Sequence, residues 1–238
     1  HGGPEVLQVE SQSIVEPGPG QLRIRQDAIG VNFIDTIFRR GIFPVALPSV
    51  PGVEGAGAVE ALGPGVKQFA VGDRVAYFLS PGSYAATRLI DADALVKLPE
   101  DVSTEEAAAV LTKGLTAWSA LNGFHQLQAG ETILVQGASS SVGKLLSRWA
   151  RARGATVIGT ASASKRQALS ADVDHALVSS DKDLAAQIRK IAPQGVDVVY
   201  EFVGQATFAA SSEAVRDGGT IVNIGAASGA SDIDAPSF

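Results

Sequence analysis

A short loop of small residues joins an apolar, β-type stretch at residues 133–135 to a helical pattern at residues 144–153. The loop consists of Gly137, Ala138, Ser139, Ser140, Ser141, Val142 and Gly143. The first N–H groups of a helix lack partners within the helix, and the helix dipole is positive at that end. A phosphate group binds there readily. The pattern therefore predicts a cradle for the pyrophosphate of a dinucleotide.

The loop lacks a strict Gly-x-Gly-x-x-Gly, because Ser140 and Ser141 stand where such loops often carry glycine. Similar loops also occur as plain turns, so the elements that follow the loop must show whether it binds a phosphate. Four further β-type runs alternate with helical patterns after the loop, which is typical of a parallel, doubly wound sheet. The runs are residues 156–159, 175–178, 196–202 and 220–224, and the helical patterns are residues 164–170, 181–191 and 207–215.

Ligands of such sheets bind beyond the carboxyl ends of the strands. Thr160, Phe202, Val203 and Gly225 lie at those ends or just after them, and we expect them to contact the cofactor together with the small-residue loop. A crevice lined by several separate loops is the predicted binding site.

The end of the second strand indicates which dinucleotide binds. NAD-binding sheets usually carry an acid there for the ribose 2′-hydroxyl, and this segment has none. Ser162, Ser164, Lys165 and Arg166 can instead bind a 2′-phosphate by charge-assisted hydrogen bonds. Alternatively, Ser164 caps the next helix and the two cations form its solvated first turn. Cations are unfavourable at a helix N-terminus, so we expect a bound phosphate and NADPH as the cofactor.

The preceding part of the chain is rich in glycine and proline and carries short β-type runs, which favour a compact β-barrel. These runs are residues 22–31, 58–62, 73–78, 84–90 and 94–98. We therefore predict a first domain of residues 1–102 and a nucleotide-binding domain of residues 103–238. Helices are expected over residues 103–122, with Ser103 as N-cap and Glu106 completing a capping box.

Composition argues against several classes of protein. The 238 residues are 45% hydrophobic, which is enough for two modest cores. A net charge of −6 without a basic cluster argues against nucleic-acid binding. No apolar run approaches the length of a membrane span and no signal-peptide pattern opens the chain, so we expect a cytoplasmic protein. The chain has no cysteine and its three histidines lie far apart, so we expect no metal site.

Two segments resemble the medium-chain dehydrogenase/reductase superfamily: PGVEGAGAVEALGPGV at residues 51–66 and VGDRV at residues 71–75. The resemblance implies an α/β protein with a GroES-like β-barrel catalytic domain and a Rossmann domain. Zinc-dependent relatives carry a histidine where Val53 stands here, and Glu54 alone is expected to be a structural hydrogen-bonding residue rather than a metal ligand.

Within that superfamily, the chain resembles the zinc-independent quinone oxidoreductase, or ζ-crystallin, branch. The resemblance rests on GGPEVL at residues 2–7, VNFIDT at residues 31–36, KGLTA at residues 113–117, and GE at residues 130–131 ahead of the small-residue loop. It implies NADPH as hydride donor and quinones or related conjugated carbonyls as acceptors. It also implies a homodimer for the full-length protein and a sixth Rossmann strand, so we expect the C-terminal part of that domain to be missing from this chain.

The resemblance places Asn32 beside nicotinamide and substrate, with Asp35 in the following helix, and Thr116 near the nicotinamide. Asn32 could instead be only a helix N-cap, and Thr116 could simply face a neighbouring element. Ile37 and Phe43 stand where family members often carry tyrosines. We therefore expect a more apolar substrate pocket without a tyrosine proton donor at these positions.

Three functions remain open. The first is an NADPH:quinone reductase that transfers hydride directly without a metal. The second is an enoyl or 2-alkenal reductase of the same superfamily, which the apolar Ile37 and Phe43 favour. The third is a non-catalytic, crystallin-like protein that binds the cofactor, which the serines in the phosphate loop permit.

Overall fold

The computed structural model describes residues 1–230 and divides the chain into two compact units, His1–Thr112 and Lys113–Phe238. This division lies ten residues after the predicted boundary at residue 102. The difference arises because helix α2, Thr104–Ser119, buries its Ala107 and Ala108 in one cluster with alanines of the first unit's sheet. The predicted capping box is confirmed, since Ser103 N donates to Glu106 Oε2 at 2.9 Å and Glu106 N donates to Ser103 Oγ at 3.1 Å.

The first unit contains a five-stranded antiparallel sheet with the order β4-β1-β2-β3-β5. Its core is formed by alternate side chains of these strands, among them Leu22, Ile24 and Val75. The elements of this unit that precede α2 are β1 Gln21–Gly30, α1 Phe33–Arg40, β2 Glu54–Leu62, β3 Arg74–Tyr77, β4 Thr87–Asp91 and β5 Val96–Lys97. All five predicted strands are present, and β2 begins four residues earlier than expected.

The second unit contains a five-stranded parallel sheet with the order β10-β9-β6-β7-β8, with β6 in the centre. This is the doubly wound Rossmann order, and the direction of winding reverses at β6. The elements are β6 Thr132–Gln136, α3 Ser141–Ala152, β7 Thr156–Ala161, α4 Arg166–Leu169, β8 His175–Val178, α5 Leu184–Ile191, β9 Val196–Glu201, α6 Gln205–Ala214 and β10 Val215–Asn223. The predicted fold class is confirmed.

Both faces of the parallel sheet are buried. Ile133 and Val135 pack with Leu146 of α3 on one face, and Leu134 and Ile158 belong to a second cluster on the other. This explains why the strands read as continuous apolar runs rather than as an alternating pattern. Within residues 1–230, no helix is both long enough and apolar enough to cross a bilayer.

Several boundaries in the second unit differ from the sequence patterns; α5, for example, begins at Leu184 rather than at residue 181. Helix α3 begins at Ser141, three residues before the predicted start, because Ser140 caps it. Helix α4 is only four residues long and begins at Arg166. Strand β10 begins at Val215, five residues before the predicted start, and its pairing with β9 is irregular up to Thr220.

Candidate cofactor and substrate sites

The small-residue loop follows β6 and leads directly into α3. Gly137 has a φ of +76°, a conformation that side chains with a Cβ rarely adopt. A Cβ at Gly143 would lie 2.6 Å from Gly137 O and 2.8 Å from Ala138 Cα, so this position must stay without a side chain. Ser140 has a φ of −70° and Ser141 is already helical. The loop therefore needs glycine at its two ends, and the serines between them fit without strain.

Ser140 has a defined role in this loop. Its Oγ accepts the Gly143 N–H at 3.0 Å, which makes it the N-cap of α3. A hydroxyl that accepts this bond keeps its own proton for donation to an anion. Ser140 and Ser141 are exposed. The loop backbone, the start of α3 and the two hydroxyls together fit the pyrophosphate of a dinucleotide.

Thr160 lies below this loop. It is fully buried, its Oγ1 accepts the Gly137 N–H at 3.3 Å, and its own hydroxyl donates to Gln136 Oε1 at 2.6 Å. Thr160 O also accepts the Ala138 N–H at 2.9 Å. Because the side chain is inaccessible, Thr160 supports the loop instead of contacting a ligand as we had expected.

The predicted 2′-phosphate residues share one exposed turn after β7. The N–H groups of Lys165 and Arg166 both donate to Ser162 O, at 2.9 and 3.0 Å. Ser164 does not cap α4; its Oγ lies 3.2 Å from Ser162 Oγ. Arg166 Nε donates to Ala176 O at 2.9 Å, which anchors the base of the guanidinium group. Two hydroxyls and two cations therefore lie together on a turn that carries no carboxylate.

The loop after β9 depends on Glu201, a residue that the sequence analysis did not single out. Its carboxylate is fully buried and accepts the N–H groups of Val203, at 2.9 Å, and Gly204, at 3.0 Å. Its carbonyl oxygen accepts the N–H groups of Ile224 and Gly225, at 2.9 and 3.1 Å. Glu201 is thus hydrogen-bonded to both of the predicted cofactor segments, the one around Phe202 and the one around Gly225. A carboxylate at the end of an apolar strand was the available signal.

In the first unit, Asn32 and Asp35 form a capping box at the start of α1. Asp35 is buried, and its Oδ2 accepts the Asn32 N–H and the Tyr84 hydroxyl, each at 2.9 Å. The amide nitrogen of Asn32 donates to Glu54 Oε2 at 2.8 Å. Glu54 is fully buried and also accepts the Thr112 N–H at 2.7 Å. Asn32 is therefore a helix cap, and its side chain is held by a second residue as well.

The contact with Glu54 determines how the Asn32 amide is oriented. A carboxylate accepts hydrogen bonds, so the amide nitrogen must face it, and the opposite orientation would bring two acceptor oxygens together. The amide nitrogen also lies 3.4 Å from Gly30 O, so both of its hydrogens have acceptors. What Asn32 can offer to a bound molecule is therefore its oxygen, which is a hydrogen-bond acceptor.

Tyr84 supplies a hydroxyl that the sequence analysis did not identify. Burial raises the pKa of Tyr84 to about 12, and the hydrogen bond to Asp35 acts in the same direction. At the two positions where tyrosines are common in the family, Ile37 is half-buried on α1 and Phe43 is exposed, with its ring edge-to-face against Phe38 at 6.0 Å. Thr116 is half-buried in the part of α2 that belongs to the second unit.

The carboxylates and histidines of the described chain do not assemble into a metal site. Within residues 1–230, no three side chains of the metal-binding types His, Cys, Asp and Glu lie together in a suitable group. Glu54 makes structural hydrogen bonds, as expected. His125 Nε2 lies 3.0 Å from Glu131 Oε2.

Two sequence profiles match the two units. The profile described as alcohol dehydrogenase GroES-like domain covers residues 18–100, and the profile described as zinc-binding dehydrogenase covers residues 141–238. A quinone oxidoreductase from Pseudomonas aeruginosa is 41% identical over 96% of this chain and 72% of its own length. A 2-haloacrylate reductase from Burkholderia is 39% identical over 97% of this chain and 72% of its own length.

Solved structures show the same relationship. The crystal structure of Escherichia coli quinone oxidoreductase complexed with NADPH matches with a TM-score of 0.92 and 38% identity, over 97% of this chain and 72% of that one. The GroES-like profile, the Rossmann sheet and the sequence similarity, which extends over nearly the whole chain, all indicate the same family. The chain belongs to the quinone oxidoreductase branch of the medium-chain dehydrogenase/reductase superfamily.

Proposed function

We propose that the protein reduces quinones or related conjugated carbonyls with NADPH, by direct hydride transfer and without a metal. The observation that carries this proposal is the phosphate cradle at residues 137–143, built on a left-handed glycine, a capping serine and the start of α3. The relative solved with NADPH supports the same cofactor. A homodimer and a cytoplasmic location stay predictions.

In this proposal the second unit binds NADPH. The loop at residues 137–143 takes the pyrophosphate, and the exposed turn with Lys165 and Arg166 takes the 2′-phosphate. Phe202, Val203 and Gly225 form the remaining walls. Bound NADPH supplies the hydride, and the protein's contribution is to hold the cofactor and exclude water.

For the first unit we propose that Asn32 orients the reactants through its acceptor oxygen. Asp35 holds the Asn32 backbone and the Tyr84 hydroxyl, so its part is to keep this group rigid. Ile37 and Phe43 are proposed to give the substrate an apolar environment. The proton for the reduced acceptor comes from water or from a hydroxyl such as that of Thr116.

A second candidate is reduction of an activated carbon–carbon double bond, as in enals or enoyl thioesters. The similarity to 2-haloacrylate reductase favours it, as do the apolar residues at positions 37 and 43. Both reactions use the same hydride donor and differ in the acceptor.

One set of assays separates these possibilities. The purified protein is assayed with NADPH against quinones, enals and enoyl thioesters, with and without a strong chelator. Highest kcat/KM on quinones supports the main proposal, and highest kcat/KM on enals or thioesters supports the second. NADPH binding without turnover of any acceptor would indicate a non-catalytic protein. Loss of activity on chelation that zinc restores would contradict the metal-free mechanism.

A further inference from the structure

A line of buried polar side chains connects two of the proposed cofactor loops within the second unit. From the first loop, the Gly137 N–H donates to Thr160 Oγ1 at 3.3 Å, and the Thr160 hydroxyl donates to Gln136 Oε1 at 2.6 Å. The Gln136 amide then donates to Ser211 Oγ at 3.1 Å. The Ser211 hydroxyl donates to Glu201 Oε2 at 2.7 Å. The four side chains that form this line are fully buried: those of Thr160, Gln136, Ser211 and Glu201.

Glu201 determines the direction of every bond in this line. Its carboxylate can only accept, so Ser211 must donate to it and accept from the nitrogen of Gln136. The oxygen of Gln136 then faces Thr160, whose hydroxyl donates to it and whose oxygen accepts from the first loop. Reversing any member would leave a buried acceptor or donor without a partner, which is costly in a low-dielectric interior.

The other oxygen of Glu201 binds the second loop. Glu201 Oε1 accepts the N–H groups of Val203 and Gly204 and the Thr207 hydroxyl, at 2.9, 3.0 and 2.8 Å. One carboxylate thus holds the loop after β9 directly and the loop after β6 through three intervening side chains. These two strands are neighbours in the sheet, at the point where its winding reverses.

We propose that Glu201 is a positioning residue for the cofactor: it fixes the loop at residues 137–143 and the loop at residues 202–204 in one relative arrangement before the ligand arrives. The proposal rests on the proposed function, in which NADPH binds to both loops. A preformed pair of loops spares the cofactor the cost of ordering them, so losing this carboxylate must weaken binding as well as stability.

A matched control exists at the opposite end of the same strands. Asp197 Oδ2 accepts the Thr132 N–H at 2.8 Å, and its Oδ1 pairs with Arg216 at 2.8 Å. Asp197 therefore joins β9 and β6 at their amino ends, away from the proposed cofactor loops. Asp197→Asn should lower the thermal unfolding midpoint without changing the affinity for NADPH.

The test compares Glu201→Gln, Ser211→Ala and Asp197→Asn with the parent protein. NADPH affinity is measured by fluorescence titration, and amide hydrogen exchange at Gly137, Val203 and Gly204 is measured without cofactor. We expect Glu201→Gln and Ser211→Ala each to weaken NADPH binding about tenfold and to speed exchange at the Gly137 amide. Ser211→Ala is the decisive variant, because Ser211 bonds to Gln136 and Glu201 and to neither loop directly. The substitution removes only one hydroxyl, so it keeps the test available if Glu201→Gln does not fold.

Two results have distinct meanings. If Ser211→Ala and any folded Glu201→Gln are destabilised like Asp197→Asn but keep parental NADPH affinity and parental exchange at Gly137, Glu201 only stabilises the fold and the inference is overturned. If the parent protein itself does not bind NADPH, the proposed function fails. The exchange measurement, made without cofactor, then still decides whether Glu201 fixes the two loops.

Discussion

The amide nitrogen of Asn32 lies 2.8 Å from the carboxylate of Glu54, and the same carboxylate accepts the backbone N–H of Thr112. Glu54 begins β2 and Asn32 follows β1, and the two strands pair in antiparallel register with Gly30 opposite Glu54. The orientation of the Asn32 side chain is therefore determined by the pairing of two strands. A flexible loop would not hold it as firmly.

Replacing Asn32 should impair turnover more than cofactor binding. We expect Asn32→Ala to lower kcat with a quinone by roughly a hundredfold and to leave a measurable rate, because misplacing reactants by about 1 Å costs on that order. Glu54→Gln should cause a smaller loss, since it replaces one carboxylate oxygen by an amide group and keeps the other oxygen as an acceptor. The measurement is kcat at saturating NADPH, with cofactor affinity determined separately.

The control for this prediction is Asn122→Ala. The Asn122 amide donates to Trp118 O at 2.6 Å in an exposed part of the second unit, so its loss should leave kcat unchanged. Thr116→Val should have a milder effect than Asn32→Ala. Parental kcat for Asn32→Ala would mean that Asn32 is only a helix cap.

Cofactor preference should depend on the turn after β7. Replacing Lys165 and Arg166 together with alanine should remove most of the preference for NADPH over NADH, because a charge-assisted phosphate contact contributes about 1.5–3 kcal/mol, or tenfold and more in affinity. Lys182→Ala changes an exposed cation elsewhere in the unit and serves as control. Equal affinities of the parent protein for NADPH and NADH would contradict the assignment of this turn as the 2′-phosphate site.

The phosphate loop should tolerate change at Ser141, lose some stability on change at Ser140, and be most sensitive at Gly143. Gly143→Ala places a methyl group against Gly137 O and Ala138 Cα, so we expect a loss of about 1–3 kcal/mol in the free energy of unfolding together with weaker NADPH binding. Ser140→Ala removes a helix cap, which typically costs about 0.5–2 kcal/mol. Ser141→Ala is the neutral control. Urea unfolding measures all three, and a Gly143→Ala variant as stable as the parent would refute the packing argument.

The three tyrosines should make the free energy of unfolding fall at high pH. Burial raises the pKa of each of the three, to about 12 for Tyr84 and in the same direction for Tyr77 and Tyr200. An unfolded tyrosine ionises near pH 10. Their contribution to stability is therefore fully present below pH 10 and is lost as the pH rises toward 12, because only the unfolded chain releases these protons in that range.

Absorbance at 295 nm tests this directly. The folded protein should show little tyrosinate at pH 10, whereas the chain in concentrated denaturant should titrate three tyrosines around that pH. Tyr84→Phe should remove the transition near pH 12. A midpoint near 10 in the folded protein would disprove the predicted shifts.

The sequence was sufficient for the architecture because the signals involved are local. The loop at residues 137–143 lies between an apolar strand and an amphipathic helix, and the alternation that follows has one common solution, the parallel sheet that is observed. The capping box at Ser103 was likewise predictable, since its partners are three residues apart.

The buried polar contacts were not predictable in this way. Gln136 and Ser211 are 75 residues apart in sequence, and Glu201 lies within a run that its apolar neighbours mark only as a strand. The register of β6 against β9 places Gln136 beside Glu201, and the packing of α6 against these strands brings Ser211 to them. Thr160 illustrates the same limit, because its position after a strand suggested ligand contact while the fold buries it beneath the loop.

The glycine requirement of the phosphate loop has a consequence for how such loops are recognised and altered. Two positions, 137 and 143, are constrained to glycine by backbone geometry, whereas positions 140 and 141 are exposed and accept serine, with Ser140 also capping α3. A search pattern that demands glycine at every customary position would pass over this protein. Ser141 offers an entry point for engineering, since a side chain of different charge there could lie beside the bound pyrophosphate and adjust cofactor affinity, while Ser140 stays in place as the cap of α3.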